Sequence, residues 1–168
     1  MTELDNFRAD RALYPRDAWR TEPSLWAVAI YRFGRHAQTL GGIRGRIARR
    51  VYKPLHLFSC AVLSIEIPTS VTIGPGFRIY HQGTITINGR TTIGMRCRLR
   101  QGVTIGVRER DGGVPAIGDD VFIGSSAQIL GAVIVGDRAK IGAGAVVLKD
   151  VPADATAVGV PARIIPGN

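Results

Sequence analysis

The side chain best suited to moving a proton at neutral pH is scarce in this chain. Its 168 residues include three histidines, His36, His56 and His81. An imidazole titrates near neutrality, which makes it the usual general base for a hydroxyl nucleophile. His36 and His56 fall among helix-forming residues. His81 lies in Ile79-Tyr80-His81-Gln82-Gly83, within a repetitive region where a small or turn-forming residue would serve the backbone better. A catalytic role is therefore the expectation for His81. A general base also needs a group that fixes its tautomer. Glu66 precedes His81 by fifteen residues and is the candidate orienting carboxylate, the alternative being a solvated charge. A metal site is not expected, because one nearby histidine without a cysteine pair cannot supply three ligands. No G-x-S-x-G elbow or G-x-x-x-x-G-K-[ST] loop is present, so the expected chemistry is direct transfer without a covalent enzyme intermediate.

The element that must position these residues is a repeat. An aliphatic side chain returns every six positions at Ile67, Ile73, Ile79 and Ile85, then at Ile93, Leu99 and Ile105, then from Ile117 through Ile123, Ile129, Val135 and Ile141 to Val147. Two extra residues fall between Ile85 and Ile93, and a gap of twelve separates Ile105 from Ile117. A period of six is neither the 3.6 of a helix nor the 2 of a strand. It fits short strands joined by tight turns, with three hexads closing one triangular coil, the signature of a parallel β-helix. Glu66 and His81 then stand about one coil of eighteen residues apart. An ordinary β-sandwich is the competing architecture and does not account for so many repeats in phase.

The net charge of +9 and pI near 10.5 favour anionic partners, whether nucleic acid, a membrane surface or a phosphorylated small molecule. No zinc-finger spacing or aromatic–basic surface motif indicates nucleic-acid binding. Cys60 and Cys97 are the two cysteines and form no framework. They point to reduced thiols and a cytoplasmic protein. The polar, charged start does not read as a secretory signal. The apolar run at residues 25–30 is too short to span a bilayer.

The expected domains are an N-terminal helical arm over residues 1–64 and a β-helix over residues 65–168, with a projecting loop at 107–115 and a C-terminal tail. In the arm, a first helix should end near Pro15 and a second should start at Ser24, the cap residue. Gly34 and Gly41-Gly42 punctuate that second helix. Ile43, Ile47 and Val51, interleaved with Arg44, Arg46, Arg49, Arg50 and Lys53, form a basic amphipathic helix that Pro54 should kink or end. Its stripe either packs on the protein or makes a peripheral contact with the inner face of an anionic membrane.

From Glu66 to Ile165 the chain resembles the hexapeptide-repeat acetyltransferases. The matching pieces are Ile73-Gly74-Pro75-Gly76, the His81 segment, Gly102-Val103-Thr104-Ile105-Gly106, Ile123-Gly124 through Ile129-Leu130-Gly131, residues 140–147, and Gly159-Val160-Pro161-Ala162-Arg163. The likeness is to serine O-acetyltransferases and, through Trp26 and Tyr31-Arg32-Phe33-Gly34, most closely to bacterial exopolysaccharide O-acetyltransferases of the colanic-acid type. It implies a left-handed parallel β-helix preceded by a short α-helical arm, a homotrimer, and acetyl-CoA in the groove between subunits. His81 matches the family's catalytic histidine, and Glu66 stands where serine acetyltransferases place a supporting Asp. Val107, Ser125 and Ala143 match turns whose backbone lines the CoA arm. Lys149 and Arg163 are the candidate contacts for CoA phosphates or adenine, on grounds of charge.

The departures bear on the acceptor. Where serine acetyltransferases carry Gly-Gly-Asp-Arg-His-Pro, this chain has Gly112-Gly113-Val114-Pro115, and the Asp before the catalytic histidine is Tyr80. Those missing groups hold serine's carboxylate and amine in that family. The expectation is therefore an O-acetyltransferase acting on a saccharide hydroxyl in surface-polysaccharide biosynthesis. Tyr80 would be the sugar platform, and Arg108 and Arg110 would reach the substrate. A lipid-linked or small saccharide would be the acceptor, with acetyl-CoA as co-substrate and no metal. Serine O-acetylation is the alternative with the same chemistry. A non-catalytic trimeric scaffold is the alternative of another class.

Overall fold

A computed structural model describes residues 2–109 and 112–167. Four helices come first: α1 (Glu3–Arg11), α2 (Ala18–Thr21), α3 (Ser24–Thr39) and α4 (Gly42–Ala61). Short strands then wind in coils. The first holds β1 (Ile65–Glu66), β2 (Thr72–Ile73) and β3 (Arg78–Ile79). The second holds β4 (Ile85–Ile87), β5 (Thr92–Ile93) and β6 (Arg98–Leu99). The third holds β7 (Thr104–Gly106), β8 (Ala116–Ile117) and β9 (Phe122–Ile123). The fourth holds β10 (Gln128–Leu130), β11 (Ile134–Val135) and β12 (Lys140–Ile141). The chain closes with β13 (Val146–Val147), β14 (Thr156–Val158) and β15 (Arg163–Ile165). The strands stack into three sheets in the orders β1-β4-β7-β10-β13, β2-β5-β8-β11 and β3-β6-β9-β12-β14-β15. They are called here the first, second and third faces. Every pairing is parallel except β14 with β15. The molecule is a parallel β-solenoid with a helical region before it.

All thirteen hexad aliphatics are buried, and a second inward column of Val71, Cys97, Val103, Ala127, Val133, Ala139 and Ala145 is buried beside them. Each fully buried aliphatic side chain stabilises the solenoid by about 1.5–3 kcal/mol. Burial also pushes the Cys97 thiol up to about 11. The register corrects one expectation. Ile65 pairs with Ile85 and Ile87 with Ile105, so Ile87, not Ile85, continues the column of Ile67. The two extra residues therefore lie between Ile79 and Ile87, in the turn that carries His81. Both Ile85 and Ile87 are buried, so the six-residue spacing alone permitted either phase.

The open end of a solenoid leaves backbone groups unpaired, and these must find partners. Here α1, the segment after it and α3 supply them. Tyr31 Oη donates to Val71 O at 2.8 Å, and Ser24 Oγ to Ile79 O at 2.8 Å. Tyr14 Oη accepts from Ile79 N–H at 3.0 Å. Arg32 Nη1 donates to Ile73 O at 2.8 Å and Nη2 to Gly74 O at 2.6 Å. Arg32 Nε in turn donates to Asp10 Oδ2 at 2.8 Å, and Asp10 Oδ1 accepts from Phe77 N–H at 2.8 Å. Arg32 and Asp10 are fully buried side chains. Burial pushes the Asp10 carboxyl above its ordinary value, against the hydrogen bonds and charge of Arg32 that pull it down.

Three helical expectations change. Ser24 makes no cap bond, because its hydroxyl serves Ile79 O and Pro23 is the cap residue. Gly34 does not interrupt α3; a Cβ there would strike the Tyr52 ring of α4, so the glycine permits close helix packing. Pro54 does not end α4, which runs on to Ala61. Pro54 and Arg50 are exposed, so water can satisfy the carbonyl that lost its donor. The Ile43, Ile47 and Val51 stripe is also exposed rather than packed on the chain. Among the described residues no helix is long and apolar enough to cross a membrane.

Breaking the Asp10–Arg32 pair from one side should be costly. Asp10→Ala should lower the unfolding free energy by about 3–5 kcal/mol in a denaturant titration; a loss below about 1 kcal/mol would show the cap to be dispensable. Alkali should act on the same cap. Burial pushes the Tyr14 and Tyr31 phenols from 10.0 up to about 12. The folded state holds the neutral phenol, so this stabilisation is complete below pH 10 and is lost as pH rises from 10 to 12. The melting temperature should fall across that window, and less steeply in a Tyr14→Phe/Tyr31→Phe variant.

Candidate active site

The third face passes to the first face through a turn in every coil. Hydrogen bonds run up this edge, from Gly102 N–H to Gly83 O at 2.9 Å, from Ser126 N–H to Gln101 O at 2.8 Å, and from Gly144 N–H to Ser125 O at 2.8 Å. One rung below, Tyr80 N–H reaches Leu99 O at 3.0 Å, as Arg100 N–H reaches Ile123 O and Gly124 N–H reaches Ile141 O. Tyr80 is thus equivalent to Arg100, and Gly83 to Gln101, Ser125 and Ala143. His81 and Gln82 are the inserted pair between them. The wider turn is closed by Gly83 at φ 119° and Thr84 at φ 39°, a backbone that glycine adopts without a steric cost. His81 and Gln82 are exposed. The insertion lifts a proton acceptor out of a regular edge.

The turn borders a cavity of about 340 Å³ between the coil and the start of α3. Residues 21–24 form one wall, and Arg78, Tyr80, His81 and Gln82 the other. Arg78 Nη2 donates to both carboxylate oxygens of Glu22, at 3.2 and 3.3 Å, and Nη1 donates to Leu13 O. The Arg78 guanidinium lies over the Tyr14 ring at 5.0 Å and the Tyr80 ring at 4.4 Å. Arg100 stands over Tyr80 as well, at 5.7 Å. The site therefore joins a base, a cation and an anion.

The other candidates distribute along the first face. Ser125 and Ala143 share the edge of His81. Glu66 is on β1 opposite Thr86, exposed at the foot of the same face; no hydrogen bond joins it to His81 among the described residues. Val107 and exposed Arg108 follow β7 at the opposite edge of that face. Lys149 lies beyond β13, and Arg163 opens β15 on the third face, apart from one another in the winding. Arg110 lies outside the described residues. Among the described residues the cation lining the cavity is Arg78, and Glu22, the anion beside it, was not among the expected site residues. Arg78, Tyr80 and Arg100 carry a signal in the sequence, since Tyr80 and Arg100 stand twenty residues apart, the length of the first coil. Glu22 carries none, because only the docking of the helices brings it there. No cluster of three or more metal-ligating side chains occurs among the described residues.

The hexapeptide family described as bacterial transferase hexapeptide (six repeats) matches residues 115–149. The serine acetyltransferase of Bacillus pumilus (strain SAFR-032) is 40% identical over 133 residues, covering 73% of this chain and 61% of that enzyme. The chain thus spans about three fifths of that relative's length. The serine acetyltransferase of Helicobacter pylori (strain ATCC 700392 / 26695) is 35% identical over 170 aligned positions, covering 95% of each chain. Among solved structures, Neisseria gonorrhoeae serine acetyltransferase in complex with serine superposes with a TM-score of 0.78 at 28% identity, covering 96% of this chain and 66% of that one. The serine acetyltransferase of Brucella abortus strain S19 in complex with coenzyme A gives 0.82 at 26% identity, covering 99% and 67%.

These relatives overturn the saccharide acceptor and the closer likeness to exopolysaccharide enzymes. The expectation rested on missing loop and Asp groups and on Tyr80 as a free sugar platform. The Tyr80 ring instead carries two guanidinium groups, and a cation and an anion stand in the cavity beside His81. With a relative matched from end to end at 35% identity, the chain belongs to the serine acetyltransferase family of hexapeptide-repeat transferases.

Proposed function

We propose that this protein transfers acetyl from acetyl-CoA to the hydroxyl of serine. The observation that carries the reading is the end-to-end similarity to the Helicobacter pylori serine acetyltransferase, and the placement of His81 on an inserted turn beside a charged cavity supports it. The His81 imidazole accepts the hydroxyl proton while the oxygen attacks the thioester carbonyl. The tetrahedral intermediate expels the CoA thiolate, which takes the proton back from the imidazolium. The charge that develops on the carbonyl oxygen is met by backbone N–H groups at the edge turns. Glu66, exposed on β1 at the foot of the first face, is the carboxylate assigned to support His81.

Acetyl-CoA, the co-substrate, lies along the edge of Ser125 and Ala143, with Val107 across the face and Lys149 and Arg163 toward its phosphates. Three chains form a trimer, so that one subunit's first face meets its neighbour and encloses the CoA arm. Light scattering should give three times the mass of 18.1 kDa; a stable monomer at micromolar concentration would refute the shared groove. A scaffold without catalysis would bind no acetyl-CoA and turn over no serine.

His81→Asn should keep the fold and acetyl-CoA affinity and lower kcat by about 10² to 10⁴-fold, the usual worth of general-base assistance. Near-normal kcat would make His81 structural. Glu66→Gln should lower kcat by about tenfold or less, since no hydrogen bond links the two groups. Raising salt from low to physiological strength should weaken CoA binding, because its phosphates meet a basic protein; flat affinity would remove Lys149 and Arg163 from the CoA site.

A further inference from the structure

We propose that Glu22 and Arg78 form the charged half of the acceptor site, Glu22 receiving the ammonium and Arg78 the carboxylate of an amino-acid acceptor. The inference rests on the serine reading and goes beyond it, because the groups that hold a zwitterion in the resembling family are absent from this chain. A zwitterion entering a partly desolvated cavity needs a cation and an anion, and leaving either end unpaired is costly. The loop residues Gly113, Val114 and Pro115 offer neither, and Tyr80 replaces the acid before His81.

The cavity beside His81 holds both charges. Glu22 contacts Arg78 through one nitrogen, with both its oxygens sharing Nη2 at 3.2 and 3.3 Å. This is a forked contact from one donor, not the paired contact of two parallel bonds, and it leaves lone pairs on both oxygens for an ammonium. Arg78 Nε is buried and has no hydrogen-bond partner among the described residues. The guanidinium lies over the Tyr14 and Tyr80 rings, at 5.0 and 4.4 Å, and is tied to Glu22 and Leu13 O, so its position is set before a ligand arrives. Both residues are about four-fifths buried, at 19% and 18% side-chain exposure, which reduces screening by solvent. A serine bridging this pair presents its hydroxyl within the cavity that His81 lines. Glu22 belongs to the connection between α2 and α3, so the helical arm contributes to acceptor selection as well as capping the solenoid.

The test compares L-serine with L-serinamide, which keeps the ammonium and hydroxyl but lacks the carboxylate. In the wild type, kcat/KM should favour L-serine. Arg78→Gln should raise KM for L-serine by about ten- to a hundredfold, the worth of a charge-assisted contact, and bring the ratio of the two acceptors toward one. Arg78→Lys, which keeps the charge without the planar fork, should fall between, and it carries the test if Arg78→Gln does not fold. Glu22→Gln should weaken both acceptors together and leave their ratio in place. KM for acetyl-CoA should be unchanged in all three. An unchanged serine-to-serinamide ratio in both Arg78 variants, with wild-type serine turnover intact, would overturn the assignment alone. Equal losses for both acceptors in the Arg78 variants, accompanied by a raised KM for acetyl-CoA, would reduce the pair to a structural strut and overturn it too. No serine turnover by the wild type would overturn the serine reading itself.

Discussion

The buried pair between Asp10 and Arg32 is the interaction on which the rest of the structure depends. A solenoid satisfies its backbone from coil to coil, and its first coil has nothing beneath it. Arg32 answers the carbonyls of Ile73 and Gly74, and Asp10 answers the amide of Phe77. Neither charge would be tolerated there alone, because burying an unpaired ion costs far more than a neutral contact returns. Together they act as a two-sided plug that reads donors and acceptors on the same edge. Tyr14, Ser24 and Tyr31 complete the plug with neutral hydroxyls. The helical arm is thus the lid of the coil, and the exposed strand edge that would invite aggregation is removed.

The same docking builds the site. Tyr14 and Ser24 both bind Ile79, the residue from which the His81 turn departs. Once Ile79 is pinned, the two extra residues can go only outward, at the edge between the third and first faces. Regular turns at Gln101, Ser125 and Ala143 continue above and offer a straight edge for an extended ligand. The irregular turn lies at its foot, where the helices wall off a cavity. Regularity along the edge suits a long, repetitive contact such as a CoA arm, and the single irregularity suits the reacting atoms.

Charge is arranged to match. The chain carries nine more positive than negative charges, and some of its cations are paired with carboxylates within the fold. Arg96 and Arg138 pair with Asp120 and Asp154 up another edge, each through two hydrogen bonds, and hold those carboxyls below the ordinary value. These exposed pairs contribute little stability. Arg78 and Arg100 both stand over the Tyr80 ring, and Arg78, paired with Glu22 and mostly buried, lines the cavity beside His81.

The thirteen hexad aliphatics determined the solenoid without reference to anything distant, because a period of six with glycine and small residues at fixed offsets is satisfied by stacked turns and by little else. His81 was legible for the same reason: a titratable side chain in a repeat that gains nothing from it stands out against the pattern. The phase of the insertion was not legible. Ile85 and Ile87 are both aliphatic, and only the pairing of Ile65 with Ile85 and Ile87 with Ile105 decided which continued the column. Ser24 and Gly34 carried local signals of a cap and a break that tertiary contacts overrode, and Pro54 carried a stop signal that solvent exposure made tolerable inside α4. Glu22 and Arg78 were beyond the sequence altogether. They lie fifty-six residues apart, on a helix connection and a strand with no shared period, and their meeting depends on how the arm docks on the open coil. Local pattern determines what repeats; the charged pair beside His81 comes from the docking of the arm, which does not repeat.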